Sequence, residues 1–385
     1  MKRGWCPSLY EPMAAKDGLL LRVKPFAGAV SANAAMLLAA AATRFGNGMI
    51  QLTNRANMQF RGFNAESAAA FADIVGGLGL AETKPGAERR RNVLVSPLTG
   101  HDTALHPATL DVARALEALL VETEAFSALP AKFGIVVDGG GSVSVLGAPG
   151  DVIVLLRGDE ALISLDGVNA AVVAPFELVD RVSRMVYAFI EQGPPSRMCD
   201  ANMVGLLTAA GLVADLKLPH GTSISPIGAA SFGAGVGVAF GLMDAAALQE
   251  LASASGDAGM FITPWRSVML AGRVPNFAHP ALITATDDKR LSIKACIGQQ
   301  GCEHGSVDAL ADAALLAQSG RFGSVSIHVS GCAKGCAQRG ASAITLVGDA
   351  GRYDFVRHGR ADAAPVLRGL TVSDIVAHPA LEDFA

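Results

Sequence analysis

The sequence predicts an α+β fold made by internal duplication, and three observations carry the prediction. Its 385 residues exceed what one hydrophobic core comfortably serves. A strand-helix-strand-strand-helix order near the start returns about 210 residues later. After each copy comes a stretch in which helical and strand patterning alternate, set off by charged or Pro/Gly-rich breaks. Four units follow: residues 1–83 and 216–284 are the two copies, and residues 84–215 and 285–385 are α/β units.

In the first copy, the short apolar run 19–23 predicts a strand, and the helical period of 31–45 predicts a helix. Strands at 48–53 and 58–61 and a helix at 65–78 complete it. The charged run 84–91, with Pro85 and Gly86 inside it, marks a boundary. In the next unit a helix at 107–124 leads to a strand at 132–137. Asp138-Gly139-Gly140-Gly141 then predicts a tight hairpin into a strand at 142–146. Strands at 152–157 and 161–165 and a helix at 175–192 finish the unit, and Gly193-Pro194-Pro195 stops that helix. The second copy has a strand at 235–242, a helix at 244–255 and strands at 259–263 and 267–271. A constant offset of about 210 brings Ala35, Leu38, Ala42, Gly46, Thr53 and Gly62 onto identical residues, and the shared order of elements is the stronger sign of duplication.

Composition narrows the function. With 51% hydrophobic and 17% charged residues the chain is a globular protein and not a disordered one. The net charge is −4, yet residues 1–91 hold twelve Lys or Arg against six Asp or Glu. This local excess of positive charge suits a small anionic ligand. With 5% aromatic residues it does not suit nucleic acid, whose binders interleave basic and aromatic side chains. Met1-Lys2-Arg3 is followed by GWCPSLYEP where a leader peptide would need an apolar run. The Ala-rich stretch 26–42 is interrupted by Ser31 and Asn33 and reads as an amphipathic helix, not a membrane span. A cytoplasmic protein is expected, in which paired cysteines hold metal or do redox work.

Four of the six cysteines fall in two glycine-flanked pairs, ACIGQQGCEHG and SGCAKGCAQRG. Cys296 and Cys302 are separated by five residues and Cys332 and Cys336 by three. An iron-sulfur cluster needs four soft anionic ligands on a backbone free enough to wrap it, and Gly298, Gly301, Gly305, Gly331 and Gly335 supply that freedom. Structural zinc knuckles favour gaps of about two to four residues in both pairs, which the first pair exceeds. Cys6 and Cys199 stand apart and read as ordinary buried or half-buried thiols.

This cysteine pattern, placed after a duplicated α/β unit, resembles the sulfite and nitrite reductase family. QLTNRANMQFRG at 51–62 is similar to the family's strand-turn-strand motif, and ITPWRSVMLAG at 262–272 to its degenerate second copy. LLLRVKP resembles the opening strand, RRNVLVSP the segment entering the central domain, and LPAKFG the lysine segment that faces the tetrapyrrole. The resemblance implies two ferredoxin-like half-domains that pair and two α/β domains, the second carrying a 4Fe-4S cluster on Cys296, Cys302, Cys332 and Cys336. A tetrapyrrole bears many carboxylates, so its site needs several cations around a flat molecule. Arg22, Lys24, Arg55, Arg61, Arg91 and Lys132 are the candidates, with Arg91 and Lys132 expected to serve catalysis as well as binding. Any one of them alone reads as a solvated surface charge.

Two departures separate this chain from the reductases of the family. The second pair reads Cys332-Ala333-Lys334-Gly335-Cys336, where sulfite reductases read Cys-Pro-Asn-Gly-Cys, and Gly134 stands where a second anion-binding lysine belongs. Losing that charge weakens a site for sulfite or nitrite on siroheme iron, which is the alternative reading. With the opening RGWCPSLYEPM, these features resemble the branch of the family that oxygenates precorrin-3A in aerobic cobalamin biosynthesis. That branch implies precorrin-3A and dioxygen as substrates and an external electron donor, a reductase or a ferredoxin. It also implies a mononuclear non-haem iron, for which His101, Asp102 and His106 offer the residue types of a facial triad, although a solvated loop is the better explanation of them. The glycines at 233, 235, 237 and 241 miss the dinucleotide-binding spacing.

Overall fold

The computed structural model describes residues 6–195, 197–219, 227–230, 233–272 and 276–378. Its first part runs β1 (Met13–Ala15), β2 (Gly18–Val23), β3 (Ala29–Val30), α1 (Ala32–Phe45), β4 (Met49–Leu52), β5 (Met58–Phe63) and α2 (Ala65–Gly77). A short helix, α3 (Pro85–Arg90), leads to β6 (Val93–Val95), α4 (Thr109–Glu122), β7 (Ile135–Asp138), β8 (Val152–Arg157), β9 (Glu160–Ser164), β10 (Asn169–Val173), α5 (Leu178–Glu191), α6 (Met203–Ala209) and β11 (Leu216–Lys217). The second copy comprises β12 (Gly228–Ala230), β13 (Gly233–Val238), β14 (Leu242–Asp244), α7 (Ala245–Ser255), β15 (Met260–Ile262), β16 (Ser267–Ala271) and β17 (Leu282–Ile283). Last come β18 (Ile293–Ala295), α8 (Ala309–Ser319), β19 (Ile327–Ser330), β20 (Ser342–Asp349), β21 (Arg352–Gly359), β22 (Leu367–Leu370) and α9 (Val372–Ala377).

These strands form four sheets, and the two copies trade a strand. The first sheet has the order β1-β2-β5-β4-β14 and the third β12-β13-β16-β15-β3. Thus β14 of the second copy pairs antiparallel with β4, Met243 opposite Ile50, and β3 of the first copy pairs with β15, Val30 opposite Met260. Each traded strand follows a tight helical turn with two left-handed residues, Ala27 and Gly28 in one copy and Phe240 and Gly241 in the other. Glycine is required at 28 because a Cβ there would lie 2.4 Å from the Ile262 carbonyl oxygen. Each traded strand then runs into a capped helix. Ser31 accepts a hydrogen bond from Ala34 N, and Asp244 from Ala247 N. Helices α1 and α7 share one core, in which Ala35, Leu38 and Ala39 meet Ala247, Leu248 and Leu251.

The duplication is therefore real, but the offset is not constant. Ser31 and Asp244 occupy equivalent caps, 213 residues apart, whereas Thr53 and Thr263 occupy equivalent turns 210 apart. The second helix is three residues shorter, 11 against 14, which absorbs the difference.

The second sheet, β11-β10-β9-β8-β7-β6, corrects the predicted hairpin after Asp138. Strand β7 pairs in parallel with both β6 and β8, and residues 142–146 form no strand. The cause is Asp138 itself. Its carboxylate accepts hydrogen bonds from Gly140 N, Ser144 Oγ, Val145 N and Leu146 N, satisfying that segment as a loop. The predicted strand at 235–242 is likewise broken into β13 and β14 by the turn at Ala239–Gly241. In the fourth sheet β18, β19 and β20 are parallel neighbours, followed by antiparallel β21 and β22. The apolar faces of β18–β20 pack with α8 and α9 in one core. No helix among the described residues is long and apolar enough to cross a membrane.

Candidate active site

Parallel pairing of β18 with β19 brings the two cysteine pairs together, because both loops leave the same end of adjacent strands. Cys296 follows β18, and Gly331 and Cys332 follow β19. The Cys296 sulfur accepts a hydrogen bond from Gly331 N at 3.1 Å. Burial pushes the Cys296 thiol up, and so do Cys332 and Cys302. Cys336 is raised by burial and then by Cys332, Cys296 and Cys302, so all four sulfurs lie within electrostatic reach of one another. The backbone around them leaves no room for side chains. A Cβ on Gly305 would lie 2.4 Å from the Gly298 carbonyl carbon, and one on Gly331 would lie 3.4 Å from the Cys296 sulfur. Among the described residues no set of three or more His, Cys, Asp or Glu side chains stands at metal-holding geometry, so the thiols are neighbours without forming a closed ligand shell. Their chemistry and glycine cradle fit an iron-sulfur cluster.

The first copy holds this cradle from outside. Arg61 on β5 makes a two-point ion pair with Asp17 at 2.8 Å and donates from Nη2 to the Gly301 carbonyl at 2.8 Å. Lys16 donates to the Gln299 carbonyl. Arg61 is thus neutralised by Asp17 and committed to the first cysteine loop, whereas the sequence placed it among tetrapyrrole contacts.

Three of the remaining cations, Lys24, Arg55 and Arg91, gather around one cavity. A small cavity of about 20 Å³ is lined by Lys24, Arg55, Asn57, Arg91, Asn92, Glu117 and Gly134, among others. It has room for a water molecule, so this end contributes a charged wall and not a slot for a macrocycle. Lys24 donates to the carbonyls of Glu88 and Arg89 and to Asn92 Oδ1, while burial lowers its pKa to about 7 against the pull of Glu88. Arg55 donates to the Lys132 carbonyl at 2.6 Å, and burial, with Arg197 next, disfavours its charge. Gly134 sits close beneath it, for a Cβ there would come within 3.2 Å of Arg55 Nη1. Arg91 is held by two carboxylates, Glu88 at 3.0 Å and Glu117 at 3.2 Å. Burial pulls its pKa down, but Glu117 and Glu88 raise it further. Arg91 therefore lines the cavity as part of a closed ionic network.

Arg22 donates to Gln59 Oε1, and burial disfavours its charge while the nearby Cys6 side chain favours it. Cys6 thus stands with the cations, a placement its isolated position in the sequence did not reveal. Cys199 is exposed, not buried or half-buried. Glu88, Glu117 and Asn92 were also missed. Carboxylates and amides in helical or loop segments carry no local signal of burial beside a cation.

The proposed triad does not assemble. Asp102 is occupied by Ser142 N, Ser142 Oγ and Ala104 N, and His106 lies against the Gly158 carbonyl and Ala108 N. His101 packs edge-on against Phe261. These residues shape loops and do not fit a mononuclear iron, so the solvated-loop explanation is the better one.

Comparison with known proteins places this geometry. Residues 11–76 match the nitrite/sulfite reductase ferredoxin-like half domain. A precorrin-3B synthase from a Sinorhizobium species is 29% identical over 399 residues, which cover 95% of this chain and 85% of that one. Residues 11–76 therefore carry a half domain of the nitrite and sulfite reductase family. The ferredoxin–nitrite reductase of Synechococcus elongatus is 32% identical over 100 residues, or 25% of this chain and 20% of its own. The fold is similar to that of the NirA protein of Mycobacterium tuberculosis, with a TM-score of 0.71 and 18% identity over 93% of this chain and 79% of that one.

Proposed function

We propose that this protein is a precorrin-3B synthase: it hydroxylates precorrin-3A at C20 and closes a γ-lactone from the ring A acetate, within aerobic cobalamin biosynthesis. The observation that carries the reading is kinship with a precorrin-3B synthase over 95% of the chain. Gly134, where the reductases need a second anion-binding lysine, supports it against sulfite or nitrite reduction. Cys296, Cys302, Cys332 and Cys336 would hold a 4Fe-4S cluster, which supplies electrons one at a time when bound. One oxygen atom enters the macrocycle and the other leaves as water, so two electrons and two protons must come from an external reductase or ferredoxin.

The chain's own residues bind and orient. Arg55 and Arg22 present positive charge to the substrate's carboxylates, Lys24 is held on the carbonyls of Glu88 and Arg89, and Lys132 extends the wall from the loop whose carbonyl Arg55 holds. Arg91 keeps the wall in place through Glu88 and Glu117, and Arg61 keeps the first cysteine loop against the first half-domain.

The test is turnover of precorrin-3A under isotopically heavy dioxygen with anaerobically prepared protein, alongside counts of iron, labile sulfide and extractable tetrapyrrole. One heavy oxygen in the product is expected, with a cluster and no siroheme. Cys336→Ser should remove iron, sulfide and turnover together. Siroheme in the extract, or a product lacking heavy oxygen, would refute the assignment.

A further inference from the structure

Arg266 occupies a position that its own turn does not need. The turn between β15 and β16 is closed by Thr263 N donating to the Ser267 carbonyl, and the matching turn of the first copy by Thr53 N donating to the Asn57 carbonyl, both at 3.0 Å. The equivalent residue in the first copy is Ala56, and both are left-handed, with φ of 54° at Ala56 and 61° at Arg266. An alanine therefore makes this turn as well, and a long side chain at positive φ is disfavoured without another reason.

The side chain's path supplies the reason. Gly241 gives it passage, since a Cβ there would lie 2.6 Å from Arg266 Cδ. The guanidinium ends at the second cysteine loop, where Nη2 donates to the Ala337 carbonyl at 2.8 Å, one residue past Cys336. Its Nη1 is buried and has no hydrogen-bond partner. The groups around it are cationic or neutral. Lys294 on β18 stands in register with His328 on β19, whose ring is fully buried with both nitrogens unpartnered, under the loop at Gly335. Burial, then Arg266 and Lys294, hold that imidazole neutral. Burial disfavours the Arg266 charge, and the Cys296 sulfur, once ionised, is the group among the described residues that favours it. A buried cation with no carboxylate is costly unless another negative charge answers it. Cysteine sulfurs are the anions that the fold places there.

We propose that Arg266 is the fixed counter-charge of the cysteine-held cluster and raises its reduction potential. The inference rests on the cluster reading given above. Each electron added to the cluster adds negative charge, and a nearby cation stabilises the reduced form more than the oxidised one. His328 fills the space beneath the loop without adding a second charge.

The experiment is an EPR-monitored redox titration of anaerobically purified wild type, Arg266→Gln and Arg266→Lys, with iron and labile sulfide counted and folding checked by circular dichroism. The expected result is a full cluster in all three, a lower midpoint in Arg266→Gln and a near-native midpoint in Arg266→Lys. If Arg266→Gln assembles no cluster while Arg266→Lys does so at the native midpoint, charge is again the requirement and the proposal stands. It is overturned if Arg266→Gln holds a full cluster at the native midpoint. It is equally overturned if the lysine variant loses as much as the glutamine variant, because the hydrogen bond to Ala337 would then matter and not the charge. A wild type without iron and sulfide would instead sink the cluster reading, and with it this proposal.

Discussion

The Lys24 ammonium is buried and held by the carbonyls of Glu88 and Arg89. Its pKa falls from 10.5 to about 7, so between these values the unfolded chain binds the proton that the folded chain releases. Stability should therefore rise with pH across that window, by at most about 1.4 kcal/mol per pH unit from this group. Thermal melts of wild type and Lys24→Met between pH 7 and pH 9.5 check it, and parallel curves would rule it out. Arg91 calls for a different measurement. Its partner Glu88 is fully buried, so Arg91→Ala strands a carboxylate and should cost about 3–5 kcal/mol in urea unfolding. A loss of substrate affinity with unchanged stability would restore Arg91 to a purely binding role. The cysteines, by contrast, were readable because their spacing and glycines are local facts. Arg61 was not, since its acceptor at Gly301 lies 240 residues away.

Among elements, the predicted helices formed and most predicted strands followed their periodicity, and one miss came where a polar side chain redirected the backbone. Asp138 is the clear case: the Gly-rich run after it reads as a hairpin, but four hydrogen bonds to one carboxylate fold it into a loop. The traded strands were also invisible. Two residues of β3 and three of β14 are too short to show a period, and their partners lie in the other copy. Gly28 tests their importance. Gly28→Ala combines a left-handed alanine with a backbone contact at 2.4 Å and should destabilise the protein by about 2–4 kcal/mol. Gly79→Ala, also at positive φ but with open space around it, should cost only about 1 kcal/mol. Equal losses in the two variants would show that the strand exchange adds nothing.

For the whole molecule, the duplicated order was the legible part, and the constant offset hid a helix shortened by three residues. Strand exchange makes the two copies interdependent. Residues 1–215 produced alone should be insoluble or poorly folded, and should recover when residues 216–385 are supplied in the same cell. A monomeric, cooperatively melting fragment of residues 1–215 would contradict this. The same exchange sets a clock on synthesis. Strand β4 leaves the ribosome roughly 190 residues before β14, which at about 5–20 residues per second is a wait on the order of 10–40 s. Throughout that interval Met49–Leu52 presents the unpaired edge of a half-built sheet. A nascent chain with an open edge is what strand-binding chaperones guard and what neighbouring chains on the same messenger can capture. Expression yield should therefore respond to elongation rate and chaperone supply more than to the stability of the finished protein.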